Sequence, residues 1–146
     1  MDLKGIYIID YIFTIFLIIM TITISLNLLD NNISDEKEVE IYLNARSLID
    51  SIANTINSVN SNNIGNIGEI TLPNNILSTS YFITVNENEV VISLPSRKGE
   101  SSIHQIRLAN LNGEIINEIR LYPGVSYKVK KSLNEYNLTI IQIYNI

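Results

Sequence analysis

Few side chains in this sequence are equipped for chemistry. The 146 residues include one histidine, His104, and no cysteine. That removes disulfides, thiolate nucleophiles and cysteine-ligated zinc, and it leaves any metal cluster or Ser/His/Asp relay resting on one imidazole. His104 is in phase with Ile106 and Leu108, the pattern of a partly buried structural imidazole with a backbone partner. The carboxylate pairs Glu87/Glu89 and Glu114/Glu118 fall beside turn signals or on a polar strand face and read as solvated surface. The run Asp35-Glu36-Lys37-Glu38-Val39-Glu40 lacks the alternating ligands and central glycine of a calcium loop. Gly65 and Gly68 follow no strand and open no helix, so they make no phosphate cradle. Arg120, Lys128, Lys130 and Lys131 are placed to form a small basic patch on one strand face, whose ordinary use is to keep an edge soluble. No catalytic, metal or cofactor site is expected, and the chain does not read as an enzyme. A net charge of −5 argues against nucleic acid as a partner.

Asp10 stands apart from these. Between Ile6 and Leu29 the chain reads IYIIDYIFTIFLIIMTITISLNLL, with Asp10 its sole charge. Residues 11–29 are uncharged, about 28 Å of helix at roughly 1.5 Å per residue, which predicts a membrane-spanning helix. A cleaved secretory peptide fits less well, because its apolar region is usually about 7–15 residues and ends in a small-residue site. Asn27-Leu28-Leu29-Asp30 offers none. A soluble buried helix would rarely be apolar on every side. A carboxylate inside such a span costs on the order of a few kcal/mol. Asp10 therefore either reaches headgroups from the interface or pairs with a cation in apolar surroundings. The simplest such cation is the α-amino group of an adjacent identical subunit, exposed by cleavage just before the apolar run. Lys4 on the short side, against Asp30, Asp35, Glu36, Glu38 and Glu40 on the other, places the N-terminus in the cytoplasm and the rest outside. Two glycosylation sequons, at Asn32 and Asn137, fall on that outer side, in a chain holding 20 asparagines.

The elements that must position these residues follow from periodicity. In residues 34–60, Ala45, Leu48, Ile49, Ile52, Ala53, Ile56 and Val59 recur at steps of three and four, opposite Asn44, Arg46, Asp50, Asn54 and Asn57. This predicts an amphipathic helix, continuing the apolar one as a long rod and ending in the Asn- and Gly-rich residues 60–68. From residue 69 the period changes to short β-branched and aromatic runs at 69–72, 81–85, 90–94, 103–108, 115–122, 125–130 and 138–144, each bounded by turn residues. An antiparallel sheet is expected, one face wet and the other covered by the helix. The fold class is thus α+β, a long N-terminal helix, half membrane-spanning and half amphipathic, packed on an antiparallel β-sheet head. The expected segments are 1–5, a leader; 6–29, a transmembrane and assembly helix; 30–60, its amphipathic extension; and 61–146, an extracellular β domain. Charge divides accordingly: −2 over residues 1–33, −3 over 34–60, and seven acids balanced by seven bases over 61–146.

The sequence Lys4-Gly5-Ile6-Tyr7-Ile8-Ile9-Asp10, followed at once by the apolar stretch, resembles the class III signal peptide of archaeal type IV pilin-like proteins. In that family a basic residue and a glycine precede the cleavage point, and an acid lies five residues into the mature chain. With Ile6 first, Asp10 is fifth. Ile6, Ile8 and Asp10 stand where the family usually has glutamine, serine and often glutamate. The resemblance extends to the layout of helix and β-rich head. It implies removal of residues 1–5 at Lys4, Gly5 and Ile6 by a prepilin-type peptidase, and assembly into a cell-surface filament through the apolar helix. Asp10 would neutralise a neighbour's terminal amine. The implied partners are the membrane, further copies or related pilins, and the pilus assembly machinery. The competing expectation is a single-pass membrane-anchored extracellular β domain that acts as a binding or envelope-interaction module without polymerising.

Overall fold

The structure, a computed structural model, describes the backbone of residues 3–146 and the side chains of residues 11–26 and 36–146. One helix, α1 (Leu3–Ser61), precedes eight strands: β1 (Ile67–Thr71), β2 (Phe82–Asn86), β3 (Glu89–Ser93), β4 (Lys98–Ser102), β5 (Leu108–Ala109), β6 (Glu118–Leu121), β7 (Ser126–Leu133) and β8 (Thr139–Asn145). The chain divides into two compact units, Met1–Glu40 and Ile41–Ile146.

In the first unit, residues 11–26 of α1 are exposed throughout. They carry no charge, and the hydroxyls that interrupt them are turned inward. Thr21 donates to the Leu17 carbonyl at 2.8 Å, Thr23 to Ile19 at 2.9 Å and Ser25 to Thr21 at 2.9 Å. Each hydroxyl is satisfied by its own helix one turn back, so the polar atoms do not need an outside partner. The expected membrane-spanning helix of residues 6–29 is corrected here. Among the described residues no helix is long and apolar enough to cross a membrane.

In the second unit the expected three- and four-residue spacing becomes a buried stripe. Ala45, Ile49, Ile52, Ala53, Ile56 and Val59 are all at most 2% exposed, whereas Leu48 is only partly covered. The single antiparallel sheet is also corrected. Among the described residues there are two four-stranded sheets, sheet 1 in the order β1-β7-β8-β5 and sheet 2 in the order β4-β3-β2-β6. Sheet 1 is mixed, because β5 runs parallel to β8, with Leu108 opposite Ile141 and Ala109 opposite Gln142. Side-chain alternation gives each sheet one buried face. Ile83 and Val85 of β2 and Val90 and Ile92 of β3 present one buried face, Tyr127 and Val129 of β7 and Ile143 of β8 another, and both enter one core with α1.

Glycine brings the helix close to the outer strands of both sheets. A Cβ on Gly68 of β1 would stand 2.8 Å from Thr55 Cγ2 and 2.9 Å from Val59 Cγ2, and one on Gly99 of β4 would stand 3.5 Å from Ile49 Cδ1. α1 thus covers the β1 and β4 edges. At the opposite edges the chain itself crosses from one sheet to the other: Ile115 bridges Ala109, the Ile116 amide donates to the Leu108 carbonyl, and the strand continues as β6.

Candidate functional site

Residues 11–26 form the most unusual surface among the described residues. Tyr11, Phe13, Phe16, Ile19 and Leu26 are each more than half exposed, and the side chains between them are apolar or have internally bonded hydroxyls. Burying one Phe, Leu or Ile from water contributes roughly 1.5–3 kcal/mol. A contiguous apolar surface of this kind marks an interaction site, since soluble surfaces rarely carry patches beyond a few hundred Å². Apolar on every side, the helix has no intrinsic wet face and is suited to being surrounded by apolar partners.

The side chains singled out for processing and assembly, at Lys4, Gly5, Ile6 and Asp10, lie outside those described, as does that of Asn32. Asn137 is described. It sits exposed in the turn between β7 and β8 at φ 61°, a left-handed conformation that asparagine tolerates, and its amide donates to the Asn134 carbonyl at 3.0 Å. Its side chain is open to modification.

His104 is exposed, contrary to the phase argument, because residues 103–107 form no strand and the two-residue alternation does not apply to them. Its backbone amide donates to Asn57 Oδ1 at 2.8 Å, which ties the loop to α1. The carboxylates have local structural duties: Glu89 accepts from Asn86 Nδ2 at 3.0 Å and Glu114 from Asn110 Nδ2 at 2.7 Å. Among the described residues, no group of three or more His, Asp or Glu is placed to hold a metal ion.

The expected basic patch divides into three. Lys128 and Lys130 alternate along β7, opposite Glu69 and Ile67 of β1. Lys131 faces the other way and donates through Nζ to the carbonyls of Asn60 and Asn62 at the end of α1. There a cation meets unpaired carbonyls and the negative end of the helix dipole. Arg120 belongs to sheet 2, where its guanidinium lies 4.8 Å from the centre of the Phe82 ring.

A polar cluster absent from the sequence reading fixes α1 to β4. Arg46 Nε meets Asp50 Oδ2 at 3.1 Å, Arg46 Nη1 donates to the Glu100 carbonyl at 2.6 Å, and the Ser101 hydroxyl donates to Asp50 Oδ1 at 2.6 Å. The i,i+4 spacing of Arg46 and Asp50 was visible in the sequence, but its connection to a strand some fifty residues later had no local signal. Nearby, Arg97 lies 5.5 Å from the centre of the Tyr42 ring.

Comparisons with models of protein families, with curated proteins and with solved structures return no match.

Proposed function

We propose that the protein is a structural subunit of an archaeal type IV pilus-like surface filament, assembled through its apolar N-terminal helix. The observation that carries this reading is residues 11–26: sixteen successive uncharged residues, exposed on all sides, with the hydroxyls of Thr21, Thr23 and Ser25 bonded back to the helix. Side-by-side packing with the same helix of other copies would remove this surface from water without requiring the hydroxyls of Thr21, Thr23 and Ser25 to find new partners. Support also comes from register. Cleavage after Gly5 puts Asp10 one helical turn from the new α-amino group of Ile6, so a staggered neighbour can match acid to amine. The implied partners are a prepilin-type peptidase and the machinery that adds subunits, with residues 41–146 as the displayed part.

N-terminal sequencing of the native protein tests the processing step. A mature chain beginning at Ile6 is expected, and an intact Met1 or Asp2 would defeat the proposal. Electron microscopy of cells carrying Asp10→Ala tests assembly, with loss of filaments expected while the subunit still accumulates. Filaments at wild-type abundance would equally count against it.

A further inference from the structure

The two sheets leave a groove with unpaired strand edges on both sides. β6 is the outermost strand of sheet 2, and β8 has a neighbour on its β5 side only at Ile141 and Gln142. The chain turns away after Ala109, so among the described residues no strand accompanies residues 143–145 there. Between these edges lies a cavity of about 620 Å³. Ile116, Ile119, Val125 and Ile143 supply an apolar floor, and Arg120 and Tyr122 stand at the rim. The size and the mix of apolar floor with few polar groups are those of a ligand groove.

The direction of the β6 backbone can be fixed. The Tyr122 amide donates to the Tyr127 hydroxyl of sheet 1 at 2.9 Å, so it points away from β2 and across the groove. By the two-residue alternation of a strand, the N–H and C=O groups of Arg120 and Glu118 point the same way, while Ile119 and Leu121 face Val85 and Ile83 of β2. β6 therefore offers the groove a row of backbone donors and acceptors beside an apolar floor. Arg120 is the one charged side chain in the lining, no acid accompanies it, and Phe82 holds its guanidinium in place.

We propose that this groove binds an extended peptide segment of a partner protein, added as a strand along β6. Aliphatic side chains at alternate positions would fill the isoleucine floor, and a carboxylate would meet Arg120. Strand addition draws affinity from main-chain hydrogen bonds and specificity from pockets for every second side chain. Four residues of β6 at about 3.3 Å each accommodate a core segment of roughly four to six residues. This site is separate from residues 11–26 and does not depend on filament assembly.

The test pans a phage-displayed library of random linear peptides against the full-length protein, then measures the enriched peptides by fluorescence anisotropy. Enriched sequences should share alternate aliphatic residues and an acid, and binding should weaken about tenfold or more in both Arg120→Glu and Val125→Glu. A circular dichroism spectrum matching the wild type identifies which variant is folded, and either one suffices. Absence of enrichment, or binding indifferent to a folded groove variant, overturns the proposal. So does either rival occupant: chitin or mannan oligosaccharides bound in a manner abolished by Tyr122→Ala, or oligomers that Arg120→Glu dissolves with no peptide added.

Discussion

The Ser101 hydroxyl donates to Asp50 Oδ1 across 2.6 Å, joining β4 to the buried-stripe half of α1. Ser101 is the one buried polar residue among the described side chains, and its bond goes to a charged acceptor that also receives Arg46. Bonds to charged groups contribute more than neutral ones, about 1.5–3 kcal/mol, whereas the Arg46–Asp50 pair is nearly half exposed and contributes little alone. The stabilising contact is therefore the hydroxyl, not the ion pair. Ser101→Ala is expected to lower the urea-unfolding free energy by about 1–2 kcal/mol, and Arg46→Ala by less. A double-mutant cycle of Ser101→Ala with Asp50→Ala should show coupling, and additive effects would refute the assignment.

Lys131 provides the second connection between helix and sheet, through the carbonyls of Asn60 and Asn62. Lys131→Met keeps the stem and removes the charge. A loss of about 1 kcal/mol is expected, together with faster amide hydrogen exchange in the last turn of α1. Lys128→Met, on the other face of the same strand, should leave that exchange unchanged.

The contrast between those lysines shows what the sequence contained. Adjacent residues in a strand point to opposite faces, so Lys130 and Lys131 could not have shared a patch, and the doublet itself was the available signal. The stripe from Ala45 to Val59 was legible because a helix buries one face at a period set by its own geometry. The division into two sheets was not, because β5 is two residues long and its parallel partner lies some thirty residues later. Tertiary pairing alone decides such a strand. Charge alone groups Arg120 with the β7 lysines, yet sheet membership separates them. His104 failed for a related reason, since the alternation that predicted its burial requires a strand that residues 103–107 do not form.

Gly68 marks a packing limit that can be measured. The methyl of Thr55 stands where a Cβ at position 68 would go, and it cannot rotate freely because Thr55 Oγ1 donates to the Ser51 carbonyl at 3.0 Å. Gly68→Ala should therefore destabilise the protein by about 1–3 kcal/mol, the range for overpacking a rigid core. Thr55→Ser removes the obstructing methyl and retains the hydroxyl. In the Gly68→Ala background it should recover part of the loss, with Val59 Cγ2 accounting for the remainder; chemical denaturation of the four combinations measures both effects.

Tyr81 gives stability a pH dependence on the alkaline side. Its ring is buried, its hydroxyl donates to the Pro73 carbonyl at 2.6 Å, and burial pushes its pKa from 10 up to about 12. Ionisation would place an anion against a carbonyl oxygen in a site with little water, so the folded state holds the proton more tightly than the unfolded chain. The associated stabilisation is fully present below pH 10 and is lost as pH rises through about 12, because over that window the unfolded tyrosine has released its proton and the folded one has not. Tyr81→Phe should thus be less stable than the wild type at pH 8, by about 1 kcal/mol for the missing hydrogen bond. Its unfolding free energy should also fall less steeply between pH 10 and 12. Ultraviolet titration supplies the second measurement: in the folded protein a late tyrosinate component should appear near pH 12, and it should vanish in Tyr81→Phe. Parallel alkaline slopes for the two proteins would show that burial of Tyr81 does not control the proton.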